Sequence, residues 1–232
     1  MARRPAKDGR AEQLPLELGH EAARGRDDLI ISDPLSAAVS VVDRWPEWPS
    51  PVVVLCGPAG AGKSHLAAIW RGRAGAVEVT LDDGGAAAMA AAPGHPVLIE
   101  DIDRFPIDET ALFHLINTVR AGHGFLMMTS RLWPAAWPVT LPDLRSRLKA
   151  ATVVEIGEPD DELLGAVIVK LFADRQIAVD PKVVDYLVAR MERSFDAAVG
   201  LVAEMDRLAL SRRLRITTAI AAEALERLSG GE

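Results

Sequence analysis

Gly57-Pro58-Ala59-Gly60-Ala61-Gly62-Lys63-Ser64 lies between two stretches of opposite character. Before it run Val52, Val53, Val54, Leu55 and Cys56, an apolar run of strand length. After it, residues 65–70 read as a helix. A glycine loop that leaves a strand and opens a helix is the setting in which G-x-x-x-x-G-K-[ST] is a phosphate site rather than a chance match. The glycines let backbone N–H groups turn inward around an anion, and the helix aims its positive end at the same point. On this reading Gly57, Pro58, Ala59, Gly60, Ala61 and Gly62 form the cradle. Lys63 reaches the outer phosphates and Ser64 sits on Mg²⁺.

Working outward, four more apolar runs read as strands: 77–80, 97–101, 125–129 and 152–156. Helical stretches lie between them, notably 66–71 and 110–120, the latter with Asp108 as its cap. Upstream, Leu35, Ala38, Val39, Val42 and Trp45 follow helical spacing, with Asp33 at the N-cap and Pro34 in the first turn; Trp45-Pro46-Glu47-Trp48-Pro49 ends that helix. Alternating β and α with buried strands predicts an α/β fold, a parallel five-stranded sheet covered on both faces. Past Gly157 the strand signal stops, and 159–228 read as three or four helices, a small α-helical lid. The expected organisation is a polar tail over 1–27, a nucleotide-binding domain over 28–157 and a helical domain over 158–232.

The bulk numbers narrow the classes. The chain has 232 residues, 49% hydrophobic and 25% charged, enough for a real core. A net charge of -7 argues against broad non-specific nucleic-acid binding, while allowing a local basic patch. Cys56 is the only cysteine, so no internal disulfide forms, and a buried, inert thiol is expected. No apolar run reaches membrane-spanning length, and the charged N-terminus has no apolar segment behind it. These features predict a cytoplasmic protein without a membrane partner.

Val97-Leu98-Ile99-Glu100-Asp101 puts two carboxylates at the C-terminal edge of a buried strand, where open α/β sheets bind ligands. One carboxylate can hold Mg²⁺, directly or through water, and the other can orient or deprotonate a water; Glu100 is the candidate metal ligand, and Glu100 and Asp101 are both candidate catalytic groups. The strand over 125–129 runs into Ser130, and its small hydroxyls could place Thr129 or Ser130 near the outer phosphate, Thr129 being the candidate cofactor-binding residue. Arg145 and Arg147 are two apart and cannot share a helix face, so at least one is free for another task. In the tail, Leu14, Leu16 and Leu18 alternate after Gln13, and Pro15 discourages a helix. That pattern suits either a linear motif docked on a partner or a strand folded back on its own domain. The five histidines show no ligand-like spacing, and Trp133 and Trp137, beside Pro134 and Pro138, read as loop packing.

In this order, the phosphate loop, acid pair, hydroxyl-ended strand, late arginine and helical bundle resemble an AAA+ ATPase of the DnaA initiator clade, over about residues 28–228. With the tail motif, the chain is similar to that clade's DnaA-related regulators. The resemblance implies that Gln13, Leu14, Leu16 and Leu18 dock on the DNA polymerase III sliding clamp (the beta subunit). It implies that Glu100-Asp101 is the Walker B pair and that Arg147 is an arginine finger acting in trans on ATP-bound DnaA. The implied cofactors are ADP, or ATP, with Mg²⁺, and the implied role is negative regulation of replication initiation. Two departures stand out: Glu100 where the initiator usually has aspartate, and Asp196 where it has a phosphate-binding sensor II arginine, with Arg193 one turn earlier as a substitute. The chain ends at Glu232, after the lid helices, so no domain reading specific DNA is expected. Self-association is compatible with the sequence but not specified by it. The alternatives are a helicase-loader-like ATPase acting on its own ATP and a small-molecule kinase.

Overall fold

The computed structural model describes residues 33–229. The expected tail, with the Gln13, Leu14, Leu16 and Leu18 motif, lies outside them. The elements run α1 (Asp33–Arg44), β1 (Val52–Cys56), α2 (Lys63–Ala74), β2 (Val77–Glu78), α3 (Ala86–Ala91), β3 (Val97–Ile99), α4 (Glu109–Ala121), β4 (Leu126–Ser130), α5 (Pro142–Lys149) and β5 (Thr152–Glu155). Then come α6 (Asp161–Asp174), α7 (Pro181–Val188), α8 (Phe195–Arg212) and α9 (Thr218–Ser229). The five strands form one parallel sheet in the order β2-β3-β4-β1-β5.

The sheet is buried on both faces because β1 and β3 carry apolar residues at every position and β4 at its first three. In β1, Val52 and Val54 pack with Leu112, Leu115 and Ile116 of α4 and Leu144 of α5. Val53 and Leu55 turn the other way, onto Leu35 and Val39 of α1 and Leu66 and Trp70 of α2. Burying each such side chain is worth about 1.5–3 kcal/mol. The Cys56 thiol is fully buried, and burial, helped by the nearby Glu155 carboxylate, pushes its pKa up to about 11, so it stays an inert thiol.

Three strands are shorter than the sequence predicts, β5 by its last residue alone. At the sheet edge, β2 stops at Glu78 with both residues exposed, although the Val79 N–H still reaches the Leu98 carbonyl. β3 stops at Ile99 because Asp101 takes a left-handed turn, φ 48°. Helices α3 and α5 have no counterpart in the sequence reading, while Asp108 caps α4 as expected by accepting from Ala111 N at 2.9 Å.

The helices after Gly157 have a core of their own, with Leu164, Ile168 and Phe172 of α6 against Leu187 of α7, Val202 and Met205 of α8 and Ala221 of α9. Their starts follow the side chains: Asp160 accepts from Leu163 N, Asp180 from Lys182 N and Ser194 from Ala197 N. This bundle meets the sheet layer at the glycine loop, where Phe195 N donates to the Gly60 carbonyl at 2.8 Å.

Candidate functional site

A cavity of about 600 Å³ opens at the C-terminal ends of the strands, between the glycine loop and helices α6 and α8. Gly60 and Gly62 adopt φ 66° and 92°, backbone that costs a glycine little and an L side chain much. Space forbids a side chain there as well, since a Cβ on Gly60 would lie 2.4 Å from Ser194 Cβ and one on Gly62 3.0 Å from the Phe195 ring. The loop therefore turns where the sequence predicts, and α2 opens directly behind it.

Of the loop, Ala59, Gly60, Gly62, Lys63 and Ser64 line the cavity. Gly57, Pro58 and Ala61 are not among the lining residues. Ala61 is packed in the core, while the Gly57 and Pro58 carbonyls accept from Lys63 Nζ at 2.8 and 2.6 Å. Those bonds hold the ammonium at the loop, 6% exposed. Burial lowers its pKa, the Asp101 carboxylate opposes that shift, and the Arg131 guanidinium reinforces it.

Glu100 and Asp101 both line the cavity, just past the end of β3. Burial raises the Glu100 carboxyl above its usual value, against a hydrogen bond from the Ser64 hydroxyl. An exposed hydroxyl hydrogen-bonded to a carboxylate suits Mg²⁺, which keeps most of its waters and takes one or two protein oxygens. Among the described residues there is no group of three or more His, Cys, Asp and Glu that could hold a metal by themselves.

Thr129 is not at the cavity surface. It is wholly buried; its Oγ1 accepts from Asp101 N at 2.8 Å and its carbonyl accepts from Ile102 N at 3.0 Å. The strand is fully enclosed through Ser130, so the hydroxyl stops one layer short of the cavity and sets the Asp101 backbone instead. Ser130 is held by Leu132 and by Trp137, whose Nε1 donates to Ser130 Oγ at 3.0 Å. Trp137 is loop packing as expected; Trp133 is half exposed.

Arg145 and Arg147 have different settings on α5. Arg145 Nε donates to the Val139 carbonyl at 2.7 Å. Arg147 is partly exposed, lies outside the cavity and has no ion pair or side-chain hydrogen bond to any described residue. The start of α5 is fastened by Glu109, which accepts from Thr140 N at 2.9 Å and Leu141 N at 2.6 Å; these N–H groups hold its carboxyl below the usual range. Asp196 lies in the first turn of α8 and lines the cavity. Arg193 does not replace an arginine there, because it points away to Asp161 at 2.8 Å.

Sequence reasoning missed Arg131 and Phe195, which both line the cavity. The signal for Arg131 was its place directly after a buried strand that ends in Thr129-Ser130. Phe195 had none, since only the chain's return from α7 brings it beside Gly62.

No family model matches the chain, and no curated protein matches it either. Solved structures do. Domain III of the Thermotoga maritima replication initiation protein DnaA superposes with a TM-score of 0.74 at 15% identity, covering 88% of this chain and 96% of that one. The replication initiator DnaA bound to AMPPCP and single-stranded DNA gives 0.68 at 18%, covering 81% and 66%. The Thermotoga maritima RuvB Holliday junction branch migration motor gives 0.67 at 18%, covering 88% and 72%. Identities this low carry architecture alone, and the architecture is one this chain shares with both DnaA domain III and RuvB.

Proposed function

We propose that this chain is a nucleotide-holding AAA+ regulator of replication initiation, of the type represented by Hda. It holds ADP, or ATP, with Mg²⁺ in its own cavity, is tethered to the sliding clamp through Gln13, Leu14, Leu16 and Leu18, and lends Arg147 to the ATP bound by DnaA. The observation that carries this reading is the placement of charge. A carboxylate, Asp196, lines the chain's own phosphate cavity, while Arg147 is held outside it, unpaired with any described residue. A carboxylate facing phosphates disfavours the outermost one and suits a diphosphate. The AMPPCP-bound DnaA neighbour supports nucleotide in such a cavity.

Lys63 and the loop N–H groups bind the phosphates, Ser64 and Glu100 hold Mg²⁺, and Asp101, fixed by Thr129, orients water. Bound there, Mg²⁺ would supply charge neutralisation to the phosphates. Lys63→Ala is expected to weaken ADP binding at least about a hundredfold in calorimetry, because it removes a buried charge-assisted contact. The raised Glu100 carboxyl gives a pH dependence of known sign. As pH falls, Glu100 takes up its proton at a higher pH than an ordinary glutamate and stops ligating. The Mg²⁺-dependent part of ADP affinity should therefore fade early on acidification, and Glu100→Gln should flatten that profile.

The function is tested by adding the chain to ATP-loaded DnaA with clamp on DNA and following DnaA's nucleotide. Conversion to ADP that needs chain and clamp together supports the reading; conversion indifferent to the chain refutes it. Gln13→Ala with Leu16→Ala should lose retention on immobilised clamp while ADP affinity stays unchanged. The loader-like alternative draws on the neighbour captured with single-stranded DNA. It requires steady turnover of the chain's own ATP, stimulated by single-stranded DNA.

A further inference from the structure

Phe105 is 66% exposed, the most open of the large apolar side chains among the described residues, and Leu132 and Trp133 are 51% and 46% exposed. The three belong to two loops that leave neighbouring strands, β3 and β4, at the C-terminal edge of the sheet. One carboxylate ties these loops together: Asp103 accepts from Arg131 N at 3.1 and 2.9 Å and from Leu132 N at 2.9 Å. The first loop is also fixed at its start, where Arg104 N donates to the Asp101 carbonyl at 2.9 Å. Apolar side chains on backbone held this way form a standing surface. Arg104 adds an exposed cation to it, with its guanidinium 5.7 Å from the centre of the Phe105 ring. The acids that follow in the chain, Asp103, Asp108 and Glu109, each accept from backbone N–H groups.

The rest of the chain joins the fold at the same edge. α1 starts at Asp33; Leu35 lines the cavity there, and a Cβ on Gly157, just past β5, would lie 3.6 Å from Pro34 Cβ. From β5 to β4 and β3 is two and three strand spacings, about 10–15 Å. The 14 residues 19–32 can span up to about 46–50 Å, so Glu12-Gln13-Leu14-Pro15-Leu16-Glu17-Leu18 can reach both loops with chain to spare. Its chemistry is complementary to theirs. Three alternating leucines share one face when extended and need an apolar surface, and Glu12 and Glu17 bring negative charge, with no cation in the segment, to Arg104. A short tether holds such a segment at about millimolar effective concentration, so even weak docking is well populated. The exposed pair Leu210 and Leu214 is placed less well, at the far end of α8, about 22 Å from its start beside the glycine loop.

We infer that the loops carrying Phe105, Leu132 and Trp133 form a docking surface for residues 12–18 of the same chain. The sliding clamp and this surface then compete for one set of leucines, and the tether is withheld until clamp is offered. The competition rests on the tether proposed above; the docking surface does not.

Photo-crosslinking of the full chain with Leu14→benzoylphenylalanine, followed by mass mapping of the adduct, tests this. Adducts on the loops over 103–107 and 131–134 in a monomer-sized product are expected, and Arg104→Glu should lower their yield several-fold. Excess clamp should abolish them. Phe105→Ser with Trp133→Ser, at an unchanged melting temperature, should be retained on immobilised clamp about twofold to tenfold more tightly than wild type, because no docked state then withholds the leucines. Adducts elsewhere overturn the inference, and adducts only in a dimer-sized product overturn it in favour of a second copy. Loop adducts that persist while clamp is bound overturn the competition. Binding of a fluorescent single-stranded oligonucleotide that is lost in Phe105→Ser with Trp133→Ser, with no loop adduct from the tail, overturns the inference in favour of nucleic acid. A chain that gives the loop adducts yet is not retained on clamp supports the docking surface and removes the tether.

Discussion

Arg147→Ala should leave this protein folded, nucleotide-bound and clamp-retained, yet should cut its stimulation of DnaA-bound ATP hydrolysis by about a thousandfold or more. An arginine delivered to another molecule's triphosphate is worth about 10³–10⁵ in rate. The rest of the expectation follows from the structure. Arg147 is partly exposed and contributes no ion pair or side-chain hydrogen bond to any described residue, so its loss costs the fold little. It lies outside the chain's own cavity, so ADP affinity should not change. Arg145→Ala is the informative companion. Removing its bond to the Val139 carbonyl disturbs the start of α5, and a moderate, stability-linked loss is expected there. Single-turnover measurement of DnaA's labelled ATP separates the two. Normal stimulation by Arg147→Ala would remove the finger from the proposal.

Gly57→Ala carries the largest expected effect on folding. A Cβ at this position would stand 2.2 Å from the Ile156 carbonyl oxygen, with φ at 153°. That oxygen cannot swing aside as a side chain could, because Ile156 N is itself bonded to the Cys56 carbonyl at 2.7 Å and its side chain is fully buried. Relief requires β1 to part from the edge strand β5, at a cost of about 3 kcal/mol or more. Against a total stability of about 5–15 kcal/mol, this should lower the urea midpoint sharply. Gly72→Ala is a control of opposite sign: the site is within α2, nothing lies within 4 Å of the added carbon, and a gain of about 0.5–1 kcal/mol is expected. Equal midpoints for the two variants would show that the contact at Gly57 is relieved elsewhere.

Most of the sheet was legible because its evidence is local. Val52 to Cys56 are apolar at every position, so that run could only be an interior strand, and the glycines after it fix where the chain must turn. The acid pair was legible too, being the polar end of an apolar run. What the sequence does not show is depth and direction. Thr129 and Arg131 are two residues apart, yet one is sealed behind Asp101 and the other lines the cavity; the difference arises from where β4 leaves the cover of its neighbours. The left-handed turn at Asp101 depends on the Thr129 hydroxyl, 28 residues away, and leaves no local mark. Helix α5 opens at Pro142 after a loop held by Glu109, a contact no periodicity reveals.

That last attachment has a consequence of its own. Glu109 belongs to α4, and Leu144 and Leu148 sink into the face of the sheet that α4 covers, far from the bundle formed by α6 to α9. α5 is therefore fixed to the sheet layer and not to the bundle. A molecule approaching that flank meets Arg147 on a helix anchored to the sheet.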